Sequence, residues 1–208
     1  MSLARLLQLA SPALPVGAYS YSQGLEAAVE AGFVTDAESA ARWIGDVLQF
    51  SVAKMEAPIL SRLMRDGDPG ELNRLFLASR ETAELRAETL QMGHSLKKLL
   101  EQLGLGSVPL DEPSFPAAYA FAAVQLKIEP RAALVAYLWS WLENQVMAAI
   151  KAVPLGQTAG QKMLLSLGAR LEDIADRASE EENLINFLPG LAVLSARHET
   201  QYSRLFRS

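Results

Sequence analysis

The chain has no cysteine and only two histidines, His94 and His198, in 208 residues. Without thiols it can form no disulfide framework, thiolate nucleophile or zinc–thiolate centre. Two histidines far apart in sequence supply no ordered ligand set for nickel, zinc or copper. Positive charge is also in short supply: 19 Lys and Arg face 24 Asp and Glu, for a net charge of −5. Phosphate recognition needs a clustered basic face, so a nucleic-acid partner is not expected. Long apolar runs are missing as well. The richest windows, AAYAFAAVQL (117–126) and AALVAYLWSWL (132–142), are bounded by Lys127, Glu129, Arg131 and Glu143. A membrane span needs about 20 apolar residues. The N-terminal MSLARLLQLASPALP lacks the basic start and long apolar run of a signal peptide, so a cytoplasmic protein is expected.

What remains is a globular profile, 50% apolar and 21% charged, with enough length for one well-buried core. No stretch alternates apolar and polar residues as a half-buried strand would. Helical spacing recurs instead. After a cap at Thr35 or Asp36 the apolar positions are Ala37, Ala40, Ala41, Ile44, Val47 and Leu48, and Pro58 is expected to kink or divide this segment. RDGDPGE (65–71) reads as a turn, with Asp68 and Pro69 opening the next helix. Leu85, Met92, Leu96, Leu99 and Leu103 form a stripe that Gly104 stops. Further helices are predicted at about 116–128, 130–151 and 157–178, the last striped by Leu164, Leu167, Leu171, Ile174 and Ala178. Near the start, Leu3–Leu9 is a short helix stopped by Pro12 and Pro15. Gly17 then turns the chain, and Ser20 or Ser22 caps a helix that Gly32 ends. The reading is a single-domain, all-α bundle of about eight to ten helices over residues 1–208, with a tail at about 197–208.

Chemistry is harder to find. His94, in QMGHS, is a lone mid-helix histidine, and no serine sits in a G-x-S-x-G elbow. GLGS (104–107) lacks a phosphate-binding lysine and follows a helix. His198–Glu199 is at most half of a metal site, which leaves His198 the one weak metal candidate. Glu84/Glu88 and Glu172/Asp173/Asp176 read as solvated helix faces. No catalytic residue and no bound cofactor are assigned, and the default is an interaction protein.

The ends differ in charge. Residues 172–182 carry six acids against Arg177, whereas RHETQYSRLFRS (197–208) carries three arginines against Glu199. The tail interleaves Tyr202, Leu205 and Phe206 with arginine, the residue types of interface hot spots. Partner binding is expected there.

Four ordered stretches carry a family signature: LASPALPVGAYSYSQGLEAAVEAG (9–32), SRETAELRAETLQMGHSL (79–96), YLWSWLENQVMAAIKAVPLGQTAGQ (137–161) and SARHETQYSRLFRS (195–208). Through these the chain resembles the urease accessory protein F (UreF) family. Tyr19 stands where that family often has phenylalanine, and regions 106–118 and 178–188 look divergent. The resemblance implies a non-catalytic, all-α chaperone that forms a homodimer. It would bind the accessory protein UreD (UreH in some organisms) and recruit the nickel-carrying GTPase UreG, for GTP-dependent nickel insertion into apo-urease. Nickel would be handled by the complex and not stored on this chain. The alternative is a GTPase-activating or coupling role toward UreG through a tail arginine, Arg204 or Arg207.

The candidate partner-binding residues are Arg197, His198, Glu199, Gln201, Tyr202, Arg204, Leu205, Phe206 and Arg207. A second candidate docking or dimer face is the loop of Pro15, Gly17, Tyr19, Tyr21, Ser22, Gln23 and Gly24. The tail is expected to order only on binding UreD, burying Tyr202, Leu205 and Phe206.

Overall fold

A computed structural model describes residues 2–65 and 67–208; Asp66, inside the predicted RDGDPGE turn, lies outside them. The described residues form helices and no strand. The helices are α1 (Leu3–Leu9), α2 (Leu25–Glu30), α3 (Ala37–Val47), α4 (Ala57–Leu63), α5 (Pro69–Ala78) and α6 (Ala83–Gln102). They continue with α7 (Phe115–Gln125), α8 (Pro130–Ala152), α9 (Gln157–Gly168), α10 (Leu171–Glu180) and α11 (Pro189–His198). A π-helical stretch, Leu48–Glu56, joins α3 and α4 into one rod.

Local chemistry explains most starts. Asp36 and Ser39 form a reciprocal capping box at α3. Asp68 caps α5 and Ser114 caps α7, each followed by proline in the first turn. Glu129 accepts from Arg131 and Ala132 N–H at the head of α8.

Pro58 lies in the first turn of α4, where the π-helical stretch ends, so the segment divides there into elements of different helix type. A proline removes one helical donor and crowds the carbonyl four residues back. Here the preceding π-helical turns absorb it, and the carbonyl of Lys54 accepts instead from Ile185 N–H, 3.2 Å away. The extended stretch after α10 thereby becomes part of the rod's hydrogen bonding. The predicted helix 157–178 is two helices, because the chain redirects after Gly168, whose missing side chain leaves room for the Trp139 ring. The stripe of five apolar residues stays buried across the break. In α6 the buried face ends on Leu100, and Leu103 is exposed.

The core is organised around α8, which packs on α1, α2, α3, α4, α9 and α10. Leu138, Leu142, Val146 and Ala149 are fully buried along it. Burial of each such leucine or valine contributes roughly 1.5–3 kcal/mol. Alanines 117, 118, 120, 122 and 123 keep α7 thin enough to lie between α6 and α4. Gly93 allows the closest approach: a Cβ there would sit 2.0 Å from the Pro113 carbonyl oxygen. The predicted break at 109–116 is therefore clamped against α6.

The acidic segment is largely paired within the chain. Arg131 holds Asp176 at 2.6 Å and Glu172 at 3.3 Å, Arg177 pairs with Asp173, and Lys54 meets Glu181. Arg62 and Arg65 donate to backbone carbonyls at 179–182. No helix among the described residues is long and apolar enough to cross a membrane.

Candidate functional site: a socket for the chain's own tail

The site starts from the stretch before α2. Gly17 is left-handed (φ +81°) and opens a short 3-10 turn, Ala18–Ser20. Gln23 and Gly24 are then both left-handed, φ 52° and 77°, which reverses the chain sharply into α2. Gly24 also lies under α11, where a Cβ would be 3.0 Å from Leu191 Cδ1. This reversal brings Ser22, Gln23 and Glu26 to one side. Ser22 does touch the helix start, accepting from Glu26 N–H at 3.3 Å, but its hydroxyl donates 2.5 Å to the Ser208 carbonyl.

After α11 the tail turns back and crosses the start of α2 and the flank of α6. Glu26 accepts from both Leu205 and Phe206 N–H, at 2.7 and 2.9 Å. The Arg207 N–H bonds to Ser20 O and the Ser22 N–H to Ser208 O. Ser208 Oγ donates to Glu88 Oε2 at 2.7 Å, while Gln23 donates to the other oxygen at 2.7 Å. Trp141 Nε1–H fixes the Gln23 amide from α8, at 2.8 Å. Phe206 is buried, with the Lys151 ammonium 5.9 Å from its ring centre.

His198 is the hub of the outer half and is fully buried. Its Nδ1 lies 2.6 Å from Glu84 Oε2 and its Nε2 3.2 Å from Glu26 Oε2. Arg204 donates to the second Glu84 oxygen at 2.6 Å. Glu199 accepts from the Ala83 and Glu84 N–H groups at the start of α6, and Thr82 meets Ser195 at 2.8 Å. The first turn of α6 is thus capped locally by Thr82 and remotely by the tail.

Behind Gln23 and Glu88 lies a cavity of about 230 Å³. Tyr19, Glu143, Met147 and Lys151 belong to its more exposed part, and Glu56, Arg80, Tyr119 and Tyr137 to its buried part. Glu56 accepts from the Tyr137 hydroxyl and faces Arg80 at 3.9 Å. Burial raises the Glu56 carboxyl above its usual range, against the pull of Arg80 and Tyr137. Burial likewise pushes Glu88 up to about 7, despite the donors from Gln23 and Ser208. The Tyr21 phenol is raised first by burial and then by the charge of Glu88.

The structure distributes the sequence candidates unevenly. It gathers Ser22, Gln23, Gly24, His198, Glu199, Arg204, Phe206 and the backbone of Leu205 and Arg207 into this socket. Arg197, Tyr202 and Pro15 face solvent, and Gln201 bonds only locally, to Ser203 O. The tyrosine pair separates: Tyr19 is 68% exposed and Tyr21 is buried. The tail packs on its own chain, and of the three side chains expected to be buried there only one is. Phe206 is buried, while Tyr202 and Leu205 remain exposed.

The acids are the second correction. Glu84 and Glu88 are no solvated face; Glu88 is 6% exposed and Glu84 is engaged by His198 and Arg204. Their partners lie more than a hundred residues away, except Gln23 on Glu88, which lies 65 away. One signal was available: Glu88 falls between Leu85 and Met92 on the apolar stripe of α6. Glu26, in the first turn of α2, carries no local signal beyond that of a helix start. For His198, both ring nitrogens are occupied by carboxylates. Among the described residues no cluster of three or more His, Cys, Asp or Glu could hold a metal ion.

All four signature stretches, which are distant in sequence, meet in this one socket. Comparison with known proteins points the same way. The UreF family profile matches residues 34–168. The urease accessory protein UreF of Azoarcus sp. is 58% identical, covering all of this chain and 96% of the relative. Those of Dechloromonas aromatica and Janthinobacterium sp. are 52% and 53% identical, covering all of this chain and 98% of each relative. On the family profile and on these full-length identities, the chain belongs to the UreF family of urease accessory proteins.

Proposed function

We propose that this chain is a non-catalytic adaptor of urease maturation. It binds the accessory protein UreD (UreH) and recruits the nickel-carrying GTPase UreG, so that GTP hydrolysis drives nickel into apo-urease in the cytoplasm. Two copies of the chain form the centre of a two-fold assembly. Nickel is cargo of the whole complex and is not stored here, a reading supported by the lack of thiols and by the occupied nitrogens of His198.

The observation that carries the adaptor reading is how the tail is displayed. Its inner residues are locked into the socket, so the outer ones form a rigid strip: Tyr202 fully exposed, Leu205 71% exposed, and Arg197 and Arg207 in solvent. Tyr19 lies beside this strip, because Arg207 N–H bonds to Ser20 O. Rigid aromatic and arginine side chains on a fixed backbone lose little entropy on binding, which favours a protein partner. A coupling role toward the GTPase would fall to a tail arginine: both are exposed, Arg204 paired with Glu84 and Arg207 beside the Tyr21 hydroxyl.

Co-purification with UreD and UreG tests this. The double variant Tyr202→Ala, Leu205→Ala should keep its fold and lose UreD affinity by about tenfold or more, the scale of a hot spot. Undiminished capture of both partners by that variant would overturn the reading.

A further inference from the structure

We propose that the inner cavity is a binding site for a small carboxylate with an aromatic or aliphatic body, its carboxylate held by Arg80. The unmet chemistry of the cavity calls for an acceptor. Arg80 lines the buried end, its side chain 9% exposed, and its guanidinium lies 4.3 Å over the Phe76 ring. That stacking fixes the plane of the fork and leaves its edge to other partners. One terminal nitrogen donates to Ser79 Oγ at 3.3 Å. The other lies 3.9 Å from Glu56 Oε2, beyond hydrogen-bond reach, and Nε is buried without an acceptor among the described residues. A buried donor in this state is costly, and a carboxylate that meets the guanidinium edge removes that cost.

The acids nearby are already supplied with donors, Glu56 by Tyr137 and Glu88 by Gln23 and Ser208. The charged and titratable groups around Arg80 are Glu56 from the π-helical stretch, Glu81 next in sequence, Glu88 from α6 and Tyr137 from α8. Burial raises Glu56 and Glu88, the latter to about 7, so both take up protons near neutrality more readily than exposed carboxyls. An anion on Arg80 therefore meets acids that can stand neutral beside it. The size also fits. At about 230 Å³ the cavity exceeds the roughly 150 Å³ that takes benzene, so a ring with a short acid side chain can enter. Its wall is mainly apolar, with Leu85, Met92 and Tyr119 buried and Leu14 and Phe115 partly so. Met147, 41% exposed, marks the mouth, and Lys151 one helical turn on gives an entering anion its first cation. An apolar pocket with a few converging polar groups is the form that small-molecule sites take.

Isothermal titration calorimetry of the full-length chain at about pH 6.5, below the value at which Glu88 titrates, tests this with two probes of one shape, 3-phenylpropionate and 3-phenylpropan-1-ol. The carboxylate should bind one to one and about tenfold or more tighter than the alcohol, the scale of a charged hydrogen bond. Arg80→Met keeps an apolar stem over Phe76 and should bring the carboxylate down to the affinity of the alcohol. Lys151→Met should keep most of the preference, and Met147→Trp, on the exposed rim, should weaken both probes. No binding of the carboxylate at millimolar concentration would overturn the site, and so would equal affinity of the two probes. A preference that survives Arg80→Met, or that is lost with Lys151→Met, would place the anion elsewhere and overturn the proposal too. If circular dichroism shows that Arg80→Met does not fold, Met147→Trp decides: unchanged carboxylate affinity there overturns the inner site.

Discussion

The core around α8 and the socket that holds the tail are buried to similar extents and are stabilised by different means. Leu138, Leu142 and Val146 are fully buried and so are Ser22, His198 and Ser208. In the core, each residue contributes through area, and neighbouring apolar residues can exchange roles with modest loss. In the socket, each buried polar atom depends on one or two named partners, so specificity of contact replaces area. The core tolerates approximate shape. The socket admits a single register of the tail, because Glu26 accepts from two consecutive amides and Glu88 from Ser208 and Gln23 together.

The sharpest way to break this comparison is to delete one member on each side. His198→Ala leaves Glu26 and Glu84 without their shared partner and should cost about 3–5 kcal/mol, the scale of a broken buried charged contact. Leu142→Ala should cost about 2–5 kcal/mol through a cavity. The two differ in kind: urea unfolding of both should show lost stability, but only His198→Ala should free residues 204–208 at low denaturant, seen by limited proteolysis. Equal tail protection in the two variants would contradict the division.

A smaller effect comes from pH. Glu88 binds its proton more tightly in the folded state, at about 7 against 4.5, so its stabilising contribution is complete below 4.5 and is lost as pH rises through 7. The full difference corresponds to about 3 kcal/mol. Chemical denaturation between pH 4.5 and 8 should show a falling component that Glu88→Gln removes, and Leu142→Ala should leave that component intact. The smallest effect is expected outside both regions. Tyr202 touches neither, and Tyr202→Ala should change stability by no more than about 0.5 kcal/mol in a thermal melt.

Much of the fold was legible from local signals. Caps at Asp36 and Asp68, prolines at helix starts, glycine stops and the apolar spacing of α6 to α10 all act within a few residues, and the helices begin and end close to where they point. Pro58 was legible as a division of its helical segment, but what compensates it was not. Its effect depended on Ile185, which reaches the freed Lys54 carbonyl from another segment. The turn after Gly168 depended in the same way on Trp139.

The candidate site divided along that line. Tail residues were marked out by their arginines and aromatics, and the Gly17–Gly24 loop by its turn chemistry. The burial of Glu26, Glu84 and Glu88 was not legible, because an acid's burial is decided by partners that the local sequence does not contain.

By itself, then, the sequence determined an all-helical chain, most of the places where its helices start and stop, the absence of thiol chemistry and membership of the UreF family. These follow from short-range sterics, hydrogen bonding and similarity along the chain. Only the tertiary structure decided that the tail closes on its own molecule, that His198 is clasped between Glu26 and Glu84, and that Glu88 is held near neutrality at a cavity wall. The physical reason is that a buried charge takes its properties from the groups folding brings to it, and here most of those arrive from the far end of the chain.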